Sequence, residues 1–255
     1  MMKHFALPLL AALFLGSATA ADIKVLTAGA YKPVIQALQA DFEKQTGHRL
    51  KVENDTAGAL QRRVAAGEAF DVLVITPAAL AQLVQAGKVM DGSKNEGANR
   101  LLARVAIGVA VKNGAVAPDI STVGAFQNAL LSARAVAYID PAAGGSSGIY
   151  LSQLFEKWGM AERIKAKAVL VPGGLVAERV VNGQADIAIH QISEILAVSG
   201  ATLVGPIPAE IQNYTVYAGG VSAAAAEPAA ARALLDALAG PAAAAVLKSK
   251  GMEAP

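Results

Sequence analysis

The chain of 255 residues contains no cysteine. That absence excludes disulfides, thiolate metal sites and a lipid-modified N-terminal cysteine. Charge is also sparse: Asp, Glu, Lys and Arg make up 16% of the residues and nearly cancel to a formal +2. No Lys/Arg run or basic stripe with interleaved aromatics occurs, so no nucleic-acid partner is expected. Aromatics amount to 5% and histidines to three. Beyond the N-terminal segment only His48 and His190 remain. Neither has a second histidine or a carboxylate at ligand spacing on an obvious shared loop, so neither a metal nor a cofactor is expected.

What is abundant is apolar: 54% of the residues are hydrophobic, ample for a packed core in one large domain or two small ones. The first twenty residues read as an export signal, with Lys3 as the positive start, Phe5 to Leu15 as the apolar stretch and Ala18-Thr19-Ala20 as the cleavage pattern. That stretch falls short of the roughly 20 residues that span a bilayer, and nothing comparable follows. The expectation is a periplasmic protein cleaved near Ala20, working as a monomer.

From Ile23 onward short β runs alternate with amphipathic helices. Ile23 to Leu26 precedes a helix opened by Pro33 and closed by Gly47; Leu50 to Glu53 precedes a helix that ends near Gly67; Asp71 to Ile75 precedes a helix capped by Thr76-Pro77. This predicts an α/β architecture with mostly parallel sheets. An extended run from Arg104 to Val111 leads into a second series with strands at Ala135 to Ile139, Ala168 to Val171 and Asp186 to His190. A late strand is expected over Gln212 to Val221. Two Ala-rich helices then pack back on the first lobe through Leu234, Leu235, Leu238, Val246 and Leu247.

Four strand-to-helix loops concentrate glycine and polar residues: Thr27 to Lys32, Asn54 to Gly58, Asp140 to Ser147 and Val171 to Gly174. In open α/β sheets ligands bind beyond the carboxyl ends of the strands, where such loops gather. In the third loop, Gly144, Gly145 and Gly148 would let a ligand approach the backbone, Ser146 and Ser147 offer hydroxyls, and the following helix points unpaired N–H groups inward. Together the loops read as a cradle for a small anion. The same segment fits G-x-S-x-G, with Asp186 and His190 later in the order of a hydrolase triad, but the serine is too far from its strand and the other two share one strand. No Lys-Ser/Thr pair follows, so it is not a nucleotide P-loop. Lys32 and Arg104 are candidates for ligand charge; of Arg62 and Arg63, at most one can face a cleft.

Several segments carry a family resemblance: Ala40 to Gly47, Gly58-Ala59-Leu60, Phe70 to Ile75, Asp140-Pro141 with Ser147 to Tyr150, Val180 to Asp186, and Gly251-Met252. In their order and spacing the chain resembles the molybdate-binding group of periplasmic solute-binding proteins, the receptors of ABC importers. The resemblance implies a two-lobe type II periplasmic-binding-protein fold with mixed, mostly parallel sheets, flanking helices and a two-strand hinge. It assigns residues 21–105 and 206–255 to lobe one and 106–205 to lobe two. It also implies a binding protein rather than an enzyme, with an inner-membrane permease as partner.

Carried over residue by residue, the family's two ligand serines fall on Ala30 and Ala57, its tyrosine on Gln191, and its backbone donors on Ser147 and Gly173. Each hydrogen bond lost to a charged group is worth about 1.5 to 3 kcal/mol, so a tetrahedral dianion is poorly served unless Thr27, Thr56 or Ser146 compensates. The expected ligand is a small organic carboxylate held by Thr27, Ala30, Tyr31, Thr56, Ala57, Ser146, Ser147, Gly173 and Gln191. A molybdate-type oxyanion is the alternative and a serine hydrolase a remote one.

Overall fold

The computed structural model describes residues 20–255, so the expected export signal falls outside the described residues. The first series runs β1 (Asp22–Ala28), α1 (Lys32–Thr46), β2 (Arg49–Asp55), α2 (Ala57–Ala65), β3 (Val72–Ile75), α3 (Pro77–Gln85) and β4 (Asn99–Val105). The second runs β5 (Ile107–Lys112), α4 (Val123–Ser132), β6 (Val136–Ile139), α5 (Ser146–Lys157), α6 (Ala161–Lys165), β7 (Ala168–Val171), α7 (Glu178–Val181), β8 (Ile187–Gln191), α8 (Ile192–Ile195) and β9 (Ala201–Pro206). The chain closes with β10 (Thr215–Val221), α9 (Pro228–Ala239), α10 (Pro241–Ser249) and β11 (Met252–Glu253).

These strands form two sheets, in the orders β11-β4-β10-β3-β1-β2 and β7-β6-β8-β5-β9. Parallel pairing is confined to β1 with β2 and β3, and to β6 with β7 and β8, the strands joined through helices. The crossing strands pair antiparallel: β10 with β3 and β4, and β5 with β8 and β9. Strands covered on both faces read as unbroken apolar runs, and Val72–Ile75, Val136–Ile139 and Ile187–Gln191 are buried throughout.

The run expected as one strand from Arg104 to Val111 is divided at Ala106, with β4 in one sheet and β5 in the other. The return runs through residues 207–214. There the Gln212 side chain accepts from Ile107 N and donates to Ile107 O, each at 2.9 Å, which ties the two crossings together. This clamp is why the late strand starts at Thr215 rather than Gln212. The Ala-rich helices bury Ala231, Leu234, Leu235, Leu238 and Leu247 in one core with Val25, Val34 and Val72 of the first sheet.

Candidate functional site

The four loops converge between the sheets. Ala28 to Ala30 at the end of β1, Asn54 to Ala57 at β2 and α2, Gly145 to Ser147 at the start of α5, and Gly174 after β7 enclose a narrow cavity of about 40 Å³. Ile139, His190, Gln191, Glu194 and Tyr217 complete its wall. Among the described residues no Lys or Arg lines it. The groups suited to an anion are the Ala57 N–H at the start of α2, whose next two N–H groups are taken by Gly144 O and Thr56 Oγ1, the leading N–H groups of α5, and the hydroxyls of Ser146 and Ser147.

Two carboxyl groups reach the cavity. Asp55 is engaged on its own side: Oδ1 accepts from Thr56 N at 2.8 Å and Oδ2 lies 3.6 Å from Arg63. Glu194 is only 8% exposed and meets His190, itself buried, with Oε2 3.3 Å from Nε2. Burial without a compensating cation pushes the Glu194 carboxyl up to about 8 and the His190 imidazole down to about 3. Between those values the pair carries no net charge, whichever partner holds the shared proton. Burial, with the Glu194 carboxyl nearby, also holds the Tyr217 phenol proton well above its usual range. At neutral pH this end of the cavity offers polar atoms without fixed charge.

Beyond Glu194 the space opens. An outer pocket of about 410 Å³ shares Gly29, Asn54, Gly174 and Glu194 with the inner cavity. Its wall carries Lys32 from α1 and Arg179 from α7, with Glu178 beside them. Lys32 Nζ donates to Asn54 Oδ1 at 2.8 Å and Arg179 to Gln184 Oε1 at 3.0 Å. Neither has an acidic ion-pair partner among the described residues.

The two halves meet at the rim. Gly58 N donates to Gly144 O at 3.0 Å, and the Thr56 hydroxyl donates to Ala143 O at 2.5 Å while capping α2 at Ala59 N. A methyl group on Gly58 would lie 2.8 Å from Gly144 Cα. The glycines of this loop thus serve protein contacts, and Gly145 lines the inner cavity as well. Gly144 takes a positive φ of 81° at the rim, whereas Gly145 and Gly148 admit Ile139, whose carbonyl oxygen would lie 2.1 Å from a Cβ at Gly148.

Of the residues expected at the site, Ala30, Thr56, Ala57, Ser146, Ser147 and Gln191 line the inner cavity. Thr27 and Tyr31 do not: Thr27 is fully buried with its hydroxyl on Ala28 O, and Tyr31 lies in the core donating to Leu238 O at 3.3 Å. Gly173 belongs to the outer pocket, its neighbour Gly174 to both. Gln191 donates to Thr215 Oγ1 at 2.8 Å and leaves Oε1 unpaired. Rotating the amide by 180° would instead free its NH2 group, the better partner for an anion. Arg104 is remote, paired with Glu253 and stacked over Tyr214. The hydrolase triad does not assemble: Asp186 pairs with Arg134, and His190 Nδ1 has no partner. Glu194 and Tyr217 were not anticipated.

Comparison with known proteins places this site in context. Residues 23–253 match the family described as bacterial extracellular solute-binding protein. A protein of Pseudomonas sp named aconitate isomerase is 35% identical over 237 residues, covering 91% of this chain and 87% of that protein. The periplasmic molybdate-binding protein of Azotobacter vinelandii superposes with a TM-score of 0.75 at 21% identity, over 91% of this chain and 99% of that one. The sulfate-binding protein SubI of Mycobacterium tuberculosis gives 0.72 at 16% identity, over 92% and 87%. These two structures show the shared fold.

Proposed function

The chain belongs to the bacterial extracellular solute-binding proteins, and on that premise we propose that it captures a small organic polycarboxylate between its two sheets and passes it to an inner-membrane ABC permease. The observation that carries this reading is the division of the cleft. One carboxylate is received by the N–H groups and hydroxyls of the inner cavity, and another reaches Lys32 and Arg179 in the outer pocket. A compact tetrahedral oxyanion fills only the first, and there it meets Ala30 and Ala57 where hydroxyl donors would be needed. The 35% identical relative, named for acting on a tricarboxylate, supports the same ligand class. The export signal expected over residues 1–20 fits a periplasmic receptor.

Calorimetry at pH 7 against tricarboxylates, dicarboxylates, molybdate, tungstate and sulfate tests this. Binding is expected for the polycarboxylates, with Lys32→Ala and Arg179→Ala each weakening a tricarboxylate about tenfold, one charge-assisted hydrogen bond apiece. Tight molybdate or tungstate binding together with silence across the carboxylates abandons the proposal. A second reading, that the cleft also converts the acid it holds, is favoured by the position of Glu194 where the two compartments meet.

A further inference from the structure

We infer that Glu194 is a catalytic residue that moves a proton between the two ends of the allylic unit in an unsaturated tricarboxylate bound across the cleft, interconverting its cis and trans isomers. The inference rests on the polycarboxylate reading above and assigns the chemistry within it.

Position carries the argument. Among the described residues Glu194 is the one acidic side chain that lines both the inner cavity and the outer pocket, so a ligand anchored at both ends lays its central carbons against it. Its Oε1 occupies the space that a side chain at Gly29 would take, 2.5 Å from the ideal Cβ position, which seats the carboxyl against the turn that follows β1. Oε2 is steadied by His190 Nε2 at 3.3 Å. The other carboxylate in the cavity, Asp55, is occupied by Thr56 N and Arg63. Glu194, His190 and Tyr217 are almost excluded from solvent. In such surroundings a carboxylate gains by accepting a proton, which makes it a stronger base than in water.

The step balances without a co-reactant. In molecules whose Glu194 is ionised, a C–H bond of the saturated CH2 breaks, its proton bonds to a Glu194 oxygen, and its electron pair spreads over the three-carbon unit and the adjoining carboxylates. The O–H bond then breaks and the proton bonds to the former vinyl carbon. In a propene-1,2,3-tricarboxylate this exchanges the two outer carbons and regenerates the same acid, with a double bond whose geometry follows the conformation held in the cleft. The titratable and charged groups facing Glu194 are His190, Tyr217 and Asp55 on the inner side and Lys32, Arg179 and Glu178 on the outer.

The test is proton NMR of cis-aconitate incubated with the full mature chain in D2O at pH 7.5, beside a protein-free control, with binding measured separately by calorimetry. The parent is expected to yield the trans isomer and to carry deuterium into the CH2 and vinyl positions. Glu194→Gln should lose about 10³-fold in rate while its affinity stays within tenfold, and Glu194→Asp should retain a measurable fraction. A parent that binds cis-aconitate without exchange or trans product overturns this inference and leaves the receptor reading standing. A parent that does not bind it overturns this inference, and the receptor reading is then decided by the rest of the carboxylate panel. Turnover by Glu194→Gln within tenfold of the parent overturns the assignment of Glu194.

Discussion

Folding puts the Glu194 carboxyl and the His190 imidazole where neither can be charged at ordinary cost, and that makes stability depend on pH in two separable ways. Glu194 is raised from its usual value to about 8, so its contribution is fully present below about pH 4.5 and is lost as pH rises through about 8. His190 is lowered to about 3, so its contribution is present above about pH 6.5 and is lost as pH falls through about 3. The Tm advantage of Glu194→Gln over the parent should therefore widen from pH 5 to pH 8; equal shifts at both would show that the carboxyl is not held protonated. A spacing of four suggests a pair only when both residues share a helix. Here His190 is the penultimate residue of β8 and Glu194 lies in α8, so the turn from Gln191 into Ile192 creates the contact. The usable signal was two titratable side chains set inside the Ile187–Ile195 segment among its isoleucines. Loop membership was likewise a poor guide for Thr27 and Tyr31, because it does not say which face of β1 or of the turn after it looks inward.

At the level of elements, the join between α2 and the loop before α5 decides whether the halves can close. Gly58 lies in the first turn of α2, where Gly→Ala favours the helix by up to about 1 kcal/mol. Yet the added methyl meets Gly144 backbone, which cannot rotate away as a side chain can. Gly58→Ala should therefore raise the unliganded Tm slightly and weaken ligand binding tenfold or more; unchanged affinity would mean that this contact is not needed in the bound state. Gly148→Ala forces α5 off the end of β6 and should cost about 1–3 kcal/mol in urea unfolding, the usual range for overpacking. Parallel β-α-β units and the four converging loops were legible because turn residues and apolar runs are local signals. What the loop glycines face was not, since Gly58 and Gly144 are joined only by tertiary structure.

For the molecule as a whole, the twin crossings at Ala106 and residues 207–214, pinned by Gln212 on Ile107, join the two sheets covalently and by hydrogen bonds. A saturating tricarboxylate at 100 times its Kd should add about 2.7 kcal/mol to stability. It should also draw the radius of gyration toward the roughly 18 Å of one compact unit of this size. Gln212→Ala should leave the second effect smaller or more variable, and a radius that ignores ligand altogether would argue for a cleft that is permanently shut. The fold class was readable from the order of elements, whereas the change of sheet at Ala106 was signalled only by the family resemblance, because Arg104 to Val111 reads as extended on both sides of it. The rim contact has one practical consequence. Arg62 is exposed and its guanidinium touches Ala143 O across the gap at 3.4 Å. In a chain without a native thiol, Arg62→Cys would carry a single environment-sensitive dye, turning the closing of the two halves into a fluorescence readout for organic acids in solution.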